Sequence, residues 1–194
     1  MKLAVITVSV REGRTGAAVG KWAADYATQH GGFDEVIPID LKEVDLPVFN
    51  EPKHPLMRDY QFDYTKRWSA LIEPADAYVF VTPEYDYYAP GALVNAIDYL
   101  SQEWSYKPAA FVGYGGISGG LRSIQAAKPL LTSVKMMPLP ESVSIQFVQN
   151  HVQEGVFTPE RMHSDMARLM LDELTKWAEA LRPLRQHPGT DAAE

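Results

Sequence analysis

Short apolar runs rich in β-branched residues alternate with segments of helical periodicity along most of this chain. The runs lie at residues 2–8, 36–41, 77–82, 109–113 and 135–139, with 142–147 as an optional continuation of the last. Between them, apolar residues recur at helical spacing, for example at Val19, Trp22, Ala23, Tyr26 and Ala27. Consecutive parallel strands need helical crossovers, which cover both faces of the sheet. This order predicts an α/β three-layer sandwich in which a five-stranded parallel sheet carries helices on both faces.

The chain is expected to form one domain, because 194 residues suit a single core and no repeat or linker divides them. Residues 1–182 make up this predicted domain, which ends in a long helix with apolar positions from Met162 to Leu181. Residues 183–194 are predicted to be a polar tail. Residues 43–63 contain three prolines and no clear period, which indicates a long loop, either functional or disordered.

Composition and charge disfavour several kinds of partner. The net charge of −7 argues against nucleic acid, since affinity for phosphate backbones needs an excess of Lys and Arg. There is no cysteine, so redox chemistry would need a bound cofactor, and the five histidines show no ligand spacing that predicts a metal site. No run approaches the roughly 18 apolar residues of a membrane span, and the N-terminal run does not resemble a signal peptide. We therefore expect a cytoplasmic protein without a membrane partner.

The loops after the first, third and fourth strands are expected to carry the function, since ligands bind where the order of parallel strands reverses. The first loop leads into a helix N-terminus, whose unpaired N–H groups and partial positive charge favour an anion. It also holds two arginines in an acidic chain. We predict a phosphate site formed by Ser9, Arg11, Arg14, Thr15, Gly16 and Ala17. In the alternative interpretation, Thr15 only caps the helix and both arginines are solvated.

The second loop, residues 82–91, combines three tyrosines, two prolines and two acidic residues. A backbone stiffened by proline can hydrogen-bond the edge of a flat heteroaromatic ring while a tyrosine lies against that ring. The predicted contacts are Pro83, Glu84, Tyr85 and Asp86. Tyrosine is also enriched at subunit interfaces, so these side chains suit an oligomer surface as well.

The third loop, residues 113–120, contains five glycines, which allow the backbone to approach a planar ligand closely. The predicted contacts are Tyr114, Gly115, Gly116 and Ser118. The same loop offers a rival function, because Gly116-Ile117-Ser118-Gly119-Gly120 matches the G-x-S-x-G nucleophile elbow of α/β-hydrolases. Against it, the candidate bases His151 and His163 carry no flanking signal and no oxyanion-hole segment is present. A serine hydrolase using Ser118 stays open as an alternative.

Taken in order, the three loops resemble those of the NADPH-dependent FMN reductase family, which includes quinone, azo-dye and chromate reductases. The resemblance spans about residues 3–177. It is carried by Ser9-x-Arg11-x-Gly13-Arg14-x-Gly16, by Thr82-Pro83-Glu84-Tyr85 with Pro90-Gly91 and Asn95, and by Gly113-Tyr114-Gly115-Gly116-x-Ser118-Gly119-Gly120. The chain departs from the family at Asp86, where Asn is common, and at the bulky pair Tyr87-Tyr88.

The resemblance implies a flavodoxin-like fold that binds FMN and takes electrons from NADPH or NADH. It places the FMN phosphate at the first loop and the flavin ring between the second and third loops. It implies a small-molecule acceptor, such as a quinone, an azo dye, a metal oxyanion or free flavin, and a homodimer or homotetramer. The flavin would carry the chemistry, so no catalytic side chain is assigned. A flavin-binding electron carrier without NAD(P)H turnover is a further alternative.

Overall fold

Five parallel strands form the central sheet of the computed structural model, which describes residues 1–185. They are β1 (Lys2–Thr7), β2 (Glu35–Asp40), β3 (Ala77–Pro83), β4 (Pro108–Tyr114) and β5 (Met137–Ile145), in the spatial order β2-β1-β3-β4-β5. Every adjacent pair is parallel. This is the flavodoxin-like order, whose switch point lies between β1 and β3. The predicted fold class is confirmed.

Helices cover both faces of the sheet. They are α1 (Gly16–His30), α2 (Leu41–Val44), α3 (Asp63–Ile72), α4 (Gly91–Asp98), α5 (Leu121–Ser133) and α6 (Arg161–Arg185). One apolar core lies between the sheet and the helices α1 and α6, and a second lies between the sheet and α3, α4 and α5. Successive side chains of a strand point to opposite faces, so Leu3 of β1 enters the first core and Ala4 the second. Both faces of β1 are therefore apolar.

The ends of two helices follow from local chemistry. Helix α1 ends before Gly31, which adopts the left-handed conformation (φ 72°) that glycine tolerates best. Pro90 is the N-cap of α4, a position whose N–H takes no part in the hydrogen bonds of the helix. Helix α6 continues through Pro183 to Arg185, into the stretch predicted to be a polar tail, and residues 186–194 of that tail lie outside the described residues.

A short hairpin was not predicted. Strands β6 (Val152–Gln153) and β7 (Val156–Phe157) pair antiparallel through a turn at Glu154 and Gly155, both with positive φ. Two-residue strands are too short to give a periodic pattern, so the sequence offered no signal for them. The two runs expected near the fifth strand belong to one strand, β5, whose register with β4 shifts between Ala109 and Phe111.

The segment from 43 to 63 has a defined path, which its hydrogen bonds explain. The amide group of Asn95 on α4 donates to the Pro47 carbonyl (2.7 Å) and accepts from the Phe49 N–H (2.8 Å). Buried Glu51 accepts from the N–H groups of Gln61 (3.0 Å) and Phe62 (3.1 Å). These bonds attach the segment to α4 and close it on itself.

Within residues 1–185, no helix is long and apolar enough to cross a membrane. The cytoplasmic location stays a prediction.

Candidate functional site

The three loops singled out in the sequence meet at the carboxyl edge of the sheet. The Ser9 Oγ and the Tyr85 hydroxyl oxygen lie 2.9 Å apart, which joins the first loop to the second. The Glu84 N–H donates to the Tyr114 carbonyl (3.0 Å), which joins the second loop to the end of β4. The predicted site residues thus come together from three separate stretches of the chain.

The N-terminus of α1 has free donors. The Thr15 side chain makes no capping hydrogen bond, which contradicts the alternative that this residue only caps the helix. Its carbonyl accepts from the N–H groups of Ala18 (3.1 Å) and Val19 (3.3 Å). The N–H groups of Gly16 and Ala17 have no acceptor among residues 1–185. Unpaired N–H groups and the helix dipole make this terminus suited to an anion.

The two arginines of the first loop have different surroundings. The Arg14 guanidinium donates to both carboxylate oxygens of Asp40 and to the Ser9 carbonyl, and the hydrogen bond to Asp40 raises the pKa of Arg14. Arg11 is exposed, and its guanidinium carbon lies 5.8 Å from the centre of the Tyr85 ring. None of the ion pairs within the described chain includes Arg11. Arg11 is therefore available to an anionic ligand, whereas Arg14 already has a carboxylate partner.

Tyr114 places a buried hydroxyl beneath the start of α1. Only 3% of its surface is exposed, and its hydroxyl has no hydrogen-bond partner among residues 1–185. Burial raises the pKa of this phenol, so it is neutral and can donate. A Cβ at Gly16 would overlap the hydroxyl, so glycine is required where helix and tyrosine approach.

The second loop forms a two-residue turn. Tyr85 and Tyr88 exchange backbone hydrogen bonds of 3.2 and 2.8 Å, and both central residues, Asp86 (φ 50°) and Tyr87 (φ 66°), have positive φ. Asp tolerates this left-handed conformation better than most residues. The guanidinium carbon of Arg122 lies 4.1 Å from the centre of the Tyr87 ring, over its face. The N–H groups of Asp86 and Tyr87 have no acceptor within residues 1–185 and remain available for a ligand.

The third loop presents a row of donors. Its carbonyls are bound within the protein: Gly116 accepts from the Phe147 N–H (3.0 Å) and Ile117 from the Gln146 side chain (2.9 Å). The N–H groups of Gly116, Ile117 and Ser118 have no acceptor in the described chain. A Cβ at Gly116 would meet open space, whereas one at Gly120 would overlap the backbone of Tyr114. Three free donors beside open space suit the polar edge of a planar ligand.

Ser118 lacks the partners of a catalytic nucleophile. The Glu84 carboxylate accepts from the Arg122 N–H and side chain (both 3.1 Å). Burial would raise the pKa of Glu84, but hydrogen bonds from Ser118 and Arg122 outweigh it and lower that pKa. Within residues 1–185, no histidine hydrogen-bonds Ser118, and His151 and His163 instead pack against each other with ring centres 5.1 Å apart. The hydrolase alternative is not favoured.

A cleft of about 1100 Å³ opens beside the second loop. The loops and helices that line it contribute mainly apolar side chains, together with Lys42, Glu43, Asp45 and Asp98. Its outer wall is the segment that Asn95 holds, including Val48 and Phe49. The sequence carried no motif for this wall, since its residues become neighbours of α4 only in the folded chain. Within residues 1–185 no group of three or more His, Asp or Glu side chains is arranged to hold a metal ion.

The fold and these loops define the class of flavodoxin-like flavoproteins. An anion site at α1, an unpartnered buried hydroxyl beside it, and free backbone donors in two loops fit FMN, which joins a phosphate to a planar ring with polar edges.

Comparison with known proteins agrees with this class. The profile of the NADPH-dependent FMN reductase family matches residues 1–150. NAD(P)H-dependent FMN reductase ntnL of Nectria sp is 30% identical over 197 residues, covering 96% of this chain and 98% of that protein. NADPH azoreductase of Bacillus sp. (strain OY1-2) is 35% identical over 158 residues, covering 80% and 81%. The flavoenzyme NAD(P)H:(acceptor) oxidoreductase FerB from Paracoccus denitrificans superposes with a TM-score of 0.72 at 25% identity, covering 92% and 97%.

The chain belongs to the NADPH-dependent FMN reductase family. This membership confirms the predicted oxidoreductase class and the predicted use of FMN with NAD(P)H. The roles of individual site residues stay predictions.

Proposed function

We propose that this enzyme uses bound FMN and NAD(P)H to reduce a small, uncharged aromatic acceptor, such as a quinone or a neutral azo dye. The observation that carries the proposal is the convergence of unpaired donors at one edge of the sheet: the N–H groups at the start of α1, the turn of the second loop and the third loop. When bound, FMN supplies the redox chemistry by accepting a hydride from NAD(P)H and passing two electrons to the acceptor.

Each loop has a proposed part in holding the cofactor. The N–H groups of Gly16 and Ala17, the Arg11 guanidinium and the hydroxyls of Ser9 and Thr15 bind the phosphate. Arg14 supports them by holding the loop against Asp40. The backbone from Pro83 to Asp86 contacts the flavin ring, and the donors of Gly116 to Ser118 face its opposite edge. Fixed donors there stabilise negative charge that develops on the reduced ring.

The charges of the neighbouring cleft favour an uncharged acceptor. Val10 and Ala89 connect the cleft to the first and second loops, so an acceptor can reach the ring through it. Three acidic side chains line the cleft against one Lys42, which itself pairs with Glu12 at 2.6 Å. An anionic acceptor such as a metal oxyanion therefore meets repulsion, while apolar walls favour a flat aromatic molecule.

The decisive experiment is a visible absorption spectrum of the purified protein with added FMN, followed by anaerobic titration with NADPH and NADH. We expect flavin absorption that stays with the protein through gel filtration, bleaches on titration and returns when a quinone is added. A protein that retains no flavin contradicts the proposal. Flavin that binds but is not bleached by either nucleotide would instead identify an electron carrier.

The acceptor class is tested with a quinone and its sulfonated analogue. We expect the native protein to have a higher kcat/KM for the neutral quinone than for the sulfonated one. In Asp45→Asn, the kcat/KM for the sulfonated quinone should rise about two- to fivefold, as for removal of one exposed charge. Glu154→Gln, in the exposed turn between β6 and β7, is the matched control and leaves both values unchanged. Equal kcat/KM values for the two quinones would refute the charge argument.

We further propose a homodimer or homotetramer. Large apolar side chains near the site are exposed, including Val48 (86%), Tyr87 (71%) and Tyr88 (59%), and a subunit interface would cover them. Light scattering coupled to gel filtration measures the mass directly. A particle with the mass of one chain would contradict this assembly.

A further inference from the structure

Tyr114 has a buried polar atom that the fold itself leaves unsatisfied. Its ring packs in the core between the sheet and α1, and its hydroxyl makes no hydrogen bond within residues 1–185. Buried hydroxyls in native proteins nearly always have a partner, because leaving one unmade is costly. An unsatisfied donor in a rigid position indicates that a partner arrives from outside the chain.

The position of the hydroxyl identifies the chemistry of that partner. It lies against Gly16 at the start of α1, beside the side chain of Ser9. Burial is the main influence on this phenol and raises its pKa, while the Ser9 side chain and both arginines of the first loop act in the opposite direction. Two nearby carboxylates are already paired, Asp40 with Arg14 and Glu12 with Lys42. An anion with several acceptor oxygens fits these surroundings.

The backbone and the side chain of Tyr114 have separate tasks. Its carbonyl accepts from the Glu84 N–H and so belongs to the junction of the second and third loops. Its side chain points the other way, into the core beneath α1. The sequence placed this residue at the edge of the flavin ring, whereas its hydroxyl lies at the predicted phosphate site.

We propose that the Tyr114 hydroxyl donates a hydrogen bond to the phosphate of FMN and makes the site select flavin phosphate over riboflavin. The inference rests on the proposed function, since it concerns the same pocket. A strand-borne phenol supplies a donor that does not move, unlike an exposed arginine, so its contribution is specific to a group that reaches the start of α1. Riboflavin has only a hydroxyl there and cannot satisfy the N–H groups of α1 and the phenol together.

The test compares FMN and riboflavin binding by flavin fluorescence quenching in the full-length protein and in Tyr114→Phe, which keeps the buried ring. We expect the variant to bind FMN about ten- to a hundredfold more weakly, as for loss of a hydrogen bond to a charged group, and riboflavin within about twofold of the native protein. Tyr106→Phe is the matched control, because Tyr106 is exposed and precedes β4 at the opposite edge of the sheet. It leaves both affinities unchanged.

Thermal unfolding without flavin provides a second measurement. Removing an unsatisfied buried hydroxyl should leave the melting temperature of Tyr114→Phe equal or higher, while the increase produced by FMN becomes smaller. An unchanged FMN affinity, or equal losses for FMN and riboflavin, would overturn the inference and leave the proposed function intact. If the native protein binds neither flavin, the proposed function fails as well.

Discussion

Replacing the two arginines of the first loop one at a time should separate phosphate binding from loop stability. Arg14→Ala removes the cation that pairs with both oxygens of Asp40 and the donor to the Ser9 carbonyl. Asp40 also caps α2 by accepting from the Lys42 N–H at 3.0 Å, so its carboxylate stays in place without a counter-charge. The variant therefore loses an ion pair and leaves a carboxylate behind.

The magnitude follows from the burial of this pair. The Arg14 and Asp40 side chains are 12% and 22% exposed, so this ion pair is intermediate between a fully buried pair and a surface pair. Removing one partner of a buried pair costs about 3–5 kcal/mol, and an exposed pair contributes roughly 0–1 kcal/mol. We expect Arg14→Ala to lower the free energy of unfolding by about 2 kcal/mol, which corresponds to a fall of roughly 4–8 °C in the melting temperature of a chain of this size.

Arg11→Ala should behave in the opposite way. Arg11 is exposed and unpaired within residues 1–185, so its removal changes the free energy of unfolding by less than about 0.5 kcal/mol. Loss of a charge-assisted hydrogen bond to phosphate should weaken FMN binding by roughly ten- to a hundredfold. Urea denaturation of the flavin-free proteins and fluorescence titration with FMN measure the two effects separately.

A double-mutant cycle completes this test. In the Arg14→Ala variant, adding Asp40→Asn removes the carboxylate charge that has lost its partner. We therefore expect the double variant to recover part of the free energy of unfolding that Arg14→Ala loses. The reasoning is refuted if Arg14→Ala weakens FMN binding as much as Arg11→Ala does while its urea midpoint is unchanged. Arg14 would then be a direct ligand of the phosphate.

Three further predictions concern other parts of the chain. Burial lowers the pKa of Lys107 from 10.5 to about 8. Between these pH values the folded state therefore binds fewer protons than the unfolded state. In urea titrations, the free energy of unfolding of the native protein, measured relative to Lys107→Met, should rise by about 2 kcal/mol from pH 8 to 10. A difference that stays constant with pH would contradict this. Gly120 has φ 86°, and a Cβ there would overlap the Tyr114 backbone, so Gly120→Ala should lower the free energy of unfolding by about 2 kcal/mol. A Cβ at Gly116 meets open space, so Gly116→Ala should lower it by less than about 0.5 kcal/mol. Equal urea midpoints for the two variants would refute the steric argument. Ser118→Ala should keep quinone reductase turnover within about threefold, and ester cleavage that disappears in this variant would revive the hydrolase alternative.

The sequence by itself determined the class of fold and indicated where the candidate site lies. β-branched runs separated by helical periodicities favour a parallel sheet through short-range preferences and apolar burial, both of which can be read locally. Glycine, arginine and tyrosine cluster in the loops after three of the strands, and the rule that ligands bind at the carboxyl edge places these loops together. The family resemblance rests on the same loops, and the match over residues 1–150 confirms it.

The tertiary structure alone decided what each side chain of the site contacts. Arg14 and Asp40 are 26 positions apart, and they pair because β1 and β2 are adjacent in the sheet. Asn95 holds Phe49, which is 46 positions away, and so shapes the cleft wall. The Tyr114 side chain turns towards α1 because alternate residues of β4 face opposite layers. Such contacts depend on the order and register of strands from distant parts of the chain, which no local pattern encodes.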